Sequence, residues 1–196
     1  HAASGYARTN HTVGVCTATS GPGATNLVTG IATAYMDSIP MVAITGQVST
    51  PMVGTDAFQE VDTKGITLPI TKHNYLITNT DDIPRIVKEA FHIAKTGRPG
   101  PVVIDIPKNI AEAPCKAKLD PPLDLPGYKP TYKGHPSQIK NAVNLIEQAK
   151  RPVLYIGGGI INAQAEPLLV QFAEKQQIPV VSTLMGIGVM DANHPL

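Results

Sequence analysis

Val13-Gly-Val-Cys-Thr-Ala-Thr19 runs straight into Ser20-Gly-Pro-Gly-Ala-Thr-Asn26. The first stretch is short, β-rich and nearly continuously apolar, the signature of a buried strand. The Gly-Pro-Gly turn then stops it, and Ala24 to Met36, rich in Ala, Leu and Thr, reads as a helix halted near Ser38-Ile39-Pro40. A second buried strand follows at Met41–Thr45 and ends at Gly46. A strand, a glycine turn, a helix and a second strand in that order point to a parallel β-α-β unit.

The same alternation continues. Residues 81–95 carry the clearest helical pattern, with Ile83, Ile86, Val87, Ala90, Phe91 and Ala94 on one face. Asp81 or Asp82 is expected to cap it, Pro84 fits its first turn, and Gly97 ends it. Pro101–Ile106 is the next buried strand. From Ala113 the pattern lapses: Pro114, Pro121, Pro122, Pro126, Pro130 and Pro136 punctuate a stretch without apolar periodicity, expected to be an extended linker. Alternation then resumes, with a helix at 137–149, a strand at Val153–Ile156, Gly157-Gly158-Gly159, a helix at about 164–176 and a strand at Ile178–Ser182. The expected fold is α/β, a parallel sheet with helices on both faces followed by the first part of a Rossmann-like domain. The expected limits are 1–112, a linker at 113–134, and 135–196.

Composition excludes several function classes. The 196 residues include 16 Lys and Arg against 15 Asp and Glu, a net charge of +1. That balance gives no electrostatic basis for binding nucleic acid or an anionic membrane. Apolar runs are of strand length, so no membrane span is expected. Cys16 and Cys115 form no metal pattern and read as buried thiols in a reducing compartment. The six histidines (His1, His11, His73, His92, His135, His194) show no ligand spacing, so no metal site is expected on these residues.

Three segments could carry chemistry. Ser20–Asn26 lets backbone approach a ligand and opens a helix, although a tight structural turn explains it equally well. Gly157–Gly159 follows a strand, as nucleotide-binding loops do, but lacks the third spaced glycine of the dinucleotide fingerprint. Gly54–Glu60 carries two acids, an amide and an aromatic in a loop, and such loops more often cover a surface. Lys108 lies at the carboxyl edge of a strand, where parallel sheets bind ligands, and is otherwise a solvated lysine.

In order along the chain, Ser20–Asn26, Ala43-Ile-Thr-Gly-Gln-Val48, Gly54–Glu60, Ile70-Thr-Lys-His-Asn74, Gly97-Arg-Pro-Gly-Pro101, Ile106-Pro-Lys108, Leu154-Tyr-Ile-Gly-Gly-Gly159 and Ser182-Thr-Leu-Met-Gly186 resemble the acetolactate (acetohydroxyacid) synthase large-subunit family. The resemblance implies a thiamine-diphosphate enzyme of three α/β domains that decarboxylates pyruvate and condenses it with pyruvate or 2-oxobutyrate, in branched-chain amino-acid biosynthesis. It implies Pro22 and Asn26 beside the aminopyrimidine, Phe58 and Gln59 facing the reaction centre, and Lys108 at the substrate channel. It implies FAD contacts from Ser38, Arg98, Gly157, Gly158, Gly159, Thr183 and Leu184, with FAD structural rather than redox-active. Ser49 stands on the channel lip where many members have proline.

The family's catalytic glutamate falls upstream of His1, and its Mg²⁺ and diphosphate site falls in a third domain beyond Leu196. The 196 residues alone are therefore expected to be inactive. A homodimer or larger assembly, with a regulatory small subunit, is also implied, in the cytoplasm of a bacterium or in a plastid or mitochondrion of a eukaryote. A non-catalytic nucleotide-binding or assembly module, pyruvate oxidase and glyoxylate carboligase are the competing readings.

Overall fold

The computed structural model describes residues 1–196, which divide into two compact units, His1–Pro130 and Thr131–Leu196. In the first unit the elements run α1 (Ala2–Asn10), β1 (Gly14–Ala18), α2 (Pro22–Asn26), α3 (Val28–Met36), β2 (Met41–Gln47), α4 (Thr63–Thr67), β3 (His73–Leu76), α5 (Ile83–Lys95), β4 (Pro101–Pro107) and α6 (Lys108–Glu112). The four strands are all parallel, in the order β1-β2-β4-β3. The apolar strands β2 and β4 lie at the centre, as continuous hydrophobic runs must when both faces are covered.

Side chains alternate across those two strands, and each set has its own core. Val42, Val102 and Ile104 pack with Ile86, Ala90, Ile93 and Ala94 of α5. Met41, Ala43 and Val103 pack on the other face with Ala7 of α1 and Ile31 and Ala34 of α3. The expected face of α5 is the one that packs: Ile83, Val87 and Phe91 lie partly buried against the first core. Each fully buried branched aliphatic there contributes about 1.5–3 kcal/mol.

Several local expectations are corrected. Asp82 holds the N-cap position of α5 without a side-chain cap, and its carboxylate instead accepts from Arg85 at 3.0 Å. Asn79 caps the preceding 3₁₀ turn. The helix expected over 24–36 is two helices meeting at Leu27. The edge strand β3 has no apolar run to mark it in the sequence, being His73-Asn-Tyr-Leu76, and its two central side chains are polar because each has a partner. Asn74 donates to Lys64 O at 2.8 Å, and Tyr75 donates to Glu89 at 3.0 Å. Glu89, itself buried on α5, also takes Arg85 at 3.0 Å. Cys115 is exposed and Cys16 half-buried, so neither is the fully buried thiol expected.

The proline-rich stretch after α6 contains neither helix nor strand up to Pro136. Its beginning is nonetheless strapped to the first unit. Asp81 accepts from the Lys116 N–H at 2.7 Å, Lys88 meets Asp120 at 2.6 Å, and Leu125 and Tyr128 pack against the α5 core.

The second unit contains α7 (Pro136–Gln148), β5 (Leu154–Ile156), α8 (Gly159–Asn162), α9 (Glu166–Gln176) and β6 (Val180–Ser182). The two strands are parallel neighbours. Where one helix is expected between them there are two, because Gln164 adopts a left-handed φ of 51° that breaks the run. No helix of the chain is long and apolar enough to cross a membrane.

Candidate functional site

The carboxyl ends of β1, β2 and β4 form one edge of the first unit, the edge at which parallel α/β sheets bind ligands. Leaving β1, the chain turns at Gly21, whose φ of 60° and ψ of −120° are open only to glycine. Pro22 then begins α2 and Asn26 ends it, both exposed.

Leaving β2, the chain forms a long loop before α4. Within it Gly54, Asp56 and Gln59 all have positive φ, at 82°, 58° and 60°. The Glu60 side chain gathers this loop, accepting from the backbone N–H groups of Gly54, Thr55 and Ala57. Phe58 at the tip is 87% exposed, and Gln59 beside it is also exposed.

The two turns meet. A Cβ built on Gly21 would lie 2.6 Å from the carbonyl oxygen of Gln59, so the two backbones touch. The structure thereby brings the Pro22–Asn26 segment and the Phe58–Gln59 pair to one place. Lys108 opens α6 at the end of β4, exposed and 3.9 Å from Glu112. Its neighbour Asn109 is tied to the loop after β2. Thr50 N–H donates to Asn109 Oδ1 at 2.9 Å, and Asn109 Nδ2 donates to Thr50 Oγ1 at 2.9 Å. Ser49 therefore sits beside a fixed lip.

Beneath the edge lies a buried polar node that sequence reasoning missed. Asp105 of β4 is 1% exposed and is paired in register with Thr45. It accepts from Thr45 Oγ1 at 2.6 Å and from Gln47 Nε2 at 3.0 Å. Burial pushes its carboxyl up to about 6 against the pull of those hydrogen bonds. Gln47 Nε2 also donates to Val61 O at 2.8 Å, which ties the loop carrying Gln59 to the sheet. One signal is present in the sequence, an acid inside the apolar run Pro101–Ile106; Gln47 falls beyond the strand end expected at Gly46, whereas β2 runs on to include it.

Ser38 and Arg98 meet on another part of the first unit, with Arg98 Nε donating to Ser38 Oγ at 2.7 Å and its Nη2 to Met36 O at 3.1 Å. In the second unit Gly157, Gly158, Gly159, Thr183 and Leu184 also converge. Thr183 N–H donates to Ile156 O at 2.8 Å. A Cβ on Gly157 would come 3.3 Å from Thr183 Oγ1, and one on Gly158 would come 3.2 Å from the Cβ of Met185. Leu184 is 83% exposed alongside them. Bare backbone, a hydroxyl and an exposed apolar side chain suit a flat ligand with polar arms.

Comparison with known proteins relates both units to one enzyme family. The model of the thiamine pyrophosphate enzyme N-terminal TPP binding domain matches residues 1–66, and that of the thiamine pyrophosphate enzyme central domain matches residues 139–196. The acetolactate synthase large subunit of Corynebacterium glutamicum is 58% identical over 196 residues, which is 100% of this chain and 31% of that protein. The acetolactate synthase of Mycobacterium leprae is 59% identical over 194 residues, 99% of this chain and 31% of that protein. A probable acetolactate synthase large subunit of Methanocaldococcus jannaschii is 53% identical over 199 residues, 100% of this chain and 34% of its own. The chain thus spans about a third of the length of the curated relatives it matches. With residues 1–66 matched to the N-terminal TPP binding domain and residues 139–196 to the central domain, the chain belongs to the thiamine pyrophosphate enzyme family and is similar throughout to acetolactate synthase large subunits.

Proposed function

We propose that the whole protein is an acetolactate synthase, decarboxylating pyruvate and joining the remaining two-carbon unit to a second 2-oxo acid, pyruvate or 2-oxobutyrate. The observation that carries the reading is the contact of Gly21 with Gln59 at the carboxyl edge of the sheet, within a chain more than half identical to acetolactate synthases.

Bound thiamine diphosphate supplies the electron sink that makes decarboxylation of a 2-oxo acid accessible. The first unit fits its pyrimidine end. Gly21 keeps the backbone low, and Pro22 and Asn26 offer an apolar wall and an amide. In this reading Pro22 and Asn26 hold the aminopyrimidine. Phe58 excludes water from the reacting centre, and Gln59 orients the substrate by hydrogen bonding. Lys108, exposed at the edge, attracts the 2-oxo carboxylate. Ser49 lines the entrance.

FAD is the proposed ligand of Gly157, Gly158, Gly159, Thr183 and Leu184, where the bare backbone fits a flat group, and Ser38 and Arg98 are proposed contacts as well. Mg²⁺ would be held with the diphosphate by residues other than these. The proposed domain limits are 1–112 and 135–196 with a linker at 113–134. A homodimer with a regulatory small subunit in the cytoplasm completes the proposal.

The test is product analysis of the whole protein given pyruvate, Mg²⁺ and thiamine diphosphate. Acetolactate, read as acetoin after acid treatment, is expected with thiamine diphosphate and not without it. Acetyl phosphate with oxygen uptake, or consumption of glyoxylate in place of pyruvate, overturns the assignment.

A further inference from the structure

We propose that Glu60 is a positioning residue for the reaction, its carboxylate serving as an internal anion that folds the Gly54–Glu60 loop into the one shape that presents Phe58 and Gln59. This rests on the reading of Phe58 and Gln59 given above and extends it to a residue that touches neither cofactor nor substrate.

The argument starts from the backbone. Three of the seven residues from Gly54 to Glu60 have left-handed φ, and two of them, Asp56 at 58° and Gln59 at 60°, are not glycine. That conformation is uncommon for an L-residue, less so for Asp than for Gln, and two such residues within four positions need something to hold them. Little apolar burial is available for the purpose, since Thr55, Asp56, Phe58 and Gln59 are exposed.

The carboxylate supplies the enforcement. Oε1 accepts from Gly54 N–H, and Oε2 accepts from Thr55 N–H at 3.2 Å and from Ala57 N–H at 3.0 Å. The Glu60 N–H returns a bond to Ala57 O at 2.9 Å, closing the ring. Successive N–H groups turned toward one anion form the backbone concavity that elsewhere binds phosphate. Here the anion is part of the chain. The N–H of Gly54, followed by those of Ala57 and Thr55, holds the Glu60 carboxyl below the usual carboxylate range. The loop is therefore charged and closed at neutral pH.

Three other constraints act on the loop. Gln47 fixes Val61 on the far side, Gly21 abuts Gln59 itself, and Thr55 bonds Met52 O through its Oγ1 at 2.7 Å and its N–H at 3.3 Å. The last holds only the entry to the loop, and none of the three reaches Asp56 or Ala57, whose turn is left to Glu60. Without the carboxylate, water can satisfy the exposed N–H groups, so the loop loses its shape while the sheet beneath stays folded.

The experiment compares the whole protein with Glu60→Gln and Glu60→Ala. Glutamine keeps one acceptor oxygen and turns an NH₂ toward the remaining donors. Three quantities are read: amide hydrogen exchange over 53–60, calorimetric affinity for thiamine diphosphate with Mg²⁺ in cofactor-stripped protein, and kcat and KM for pyruvate. Exchange faster by about tenfold, cofactor affinity weaker by a similar factor and kcat lowered more than KM is raised are expected, with Tm unchanged and Ala worse than Gln.

Exchange, affinity and kcat all at wild-type values would overturn the proposal. So would faster exchange with affinity and kcat untouched, or a fall in Tm that accounts for all three changes. Exchange and affinity are measured without turnover. If the wild-type protein makes no acetolactate, the assigned reaction fails while these two measurements still decide the role of Glu60.

Discussion

Gly21 and Gln59, from the loops that follow two neighbouring strands, press backbone against backbone. A Cβ at Gly21 would lie 2.6 Å from Gln59 O and 2.9 Å from its Cα, and both residues have φ of 60°. Backbone atoms so close cannot give way as a flexible side chain would. Gly21→Ala therefore incurs both a φ/ψ pair closed to alanine and a collision with the loop that carries Phe58 and Gln59. About 2–4 kcal/mol of stability should be lost, together with most of the affinity for thiamine diphosphate. Urea unfolding and calorimetric titration of the variant measure both. Wild-type affinity in the alanine variant would mean that the contact does not serve the cofactor.

Asp105 makes a pH-dependent contribution whose sign follows from its raised carboxyl. Below about pH 4 it is protonated in both the folded and unfolded states and costs nothing. Between its ordinary 3.8 and its folded value of about 6, the unfolded chain ionises while the folded one does not, so stability falls as pH rises. Above 6 the full penalty stands, about 3 kcal/mol. Asp105→Asn keeps the shape and cannot ionise. Its stability relative to wild type should therefore rise by about 3 kcal/mol between pH 4 and pH 7, starting below wild type because hydrogen bonds from Thr45 and Gln47 are weakened. Urea midpoints of the two proteins across that range give the difference, and a difference constant with pH would refute the account.

Gly158 offers the corresponding test in the second unit. A methyl group there already meets Met185 Cβ at 3.2 Å and Met185 O at 3.3 Å. The branched side chain of Gly158→Val would push the Thr183–Met185 turn away from the glycines. If FAD lies on that surface, the purified whole protein should lose most of its flavin absorbance near 450 nm, about a tenfold drop in occupancy. Full flavin content in the variant would move FAD elsewhere.

How much of this could be read in the sequence follows from the range of each interaction. Strands β1, β2 and β4 and the buried face of α5 were legible because apolar spacing is local. Strand β3 was not, since the reasons for Asn74 and Tyr75 lie on α4 and α5. Pro22, Asn26, Phe58 and Gln59 are proposed through family resemblance alone; physically the Gly54–Glu60 loop reads as surface cover. What distinguishes it is Gly21 against Gln59 and Gln47 against Val61, contacts between segments distant in sequence that no local pattern encodes. Asp105 did leave a trace, an acid inside an apolar strand, but only register shows that it meets Gln47, which lies past the strand end expected at Gly46.

The strap after α6 yields the last prediction. Lys72, just before β3, donates to the carbonyls of Ile93 and Thr96 at the end of α5 and to the Tyr128 hydroxyl at 3.0 Å. Tyr128 in turn donates to Thr96 O at 2.8 Å and sets its ring edge-on to His92. A lysine thus satisfies the open carbonyls of a helix terminus, and a tyrosine from the proline-rich stretch completes the cluster. Lys72→Met keeps the stem and loses the donors, which should cost about 1–3 kcal/mol. Tyr128→Phe should cost about 1 kcal/mol and make the 113–130 stretch more open to limited proteolysis, with Leu125 still packed. Because the two side chains share Thr96 O, the double variant should be milder than the sum, by about 0.5–1 kcal/mol. Strict additivity in denaturant unfolding, or unchanged cleavage of the strap in Tyr128→Phe, would show that Lys72 and Tyr128 act separately.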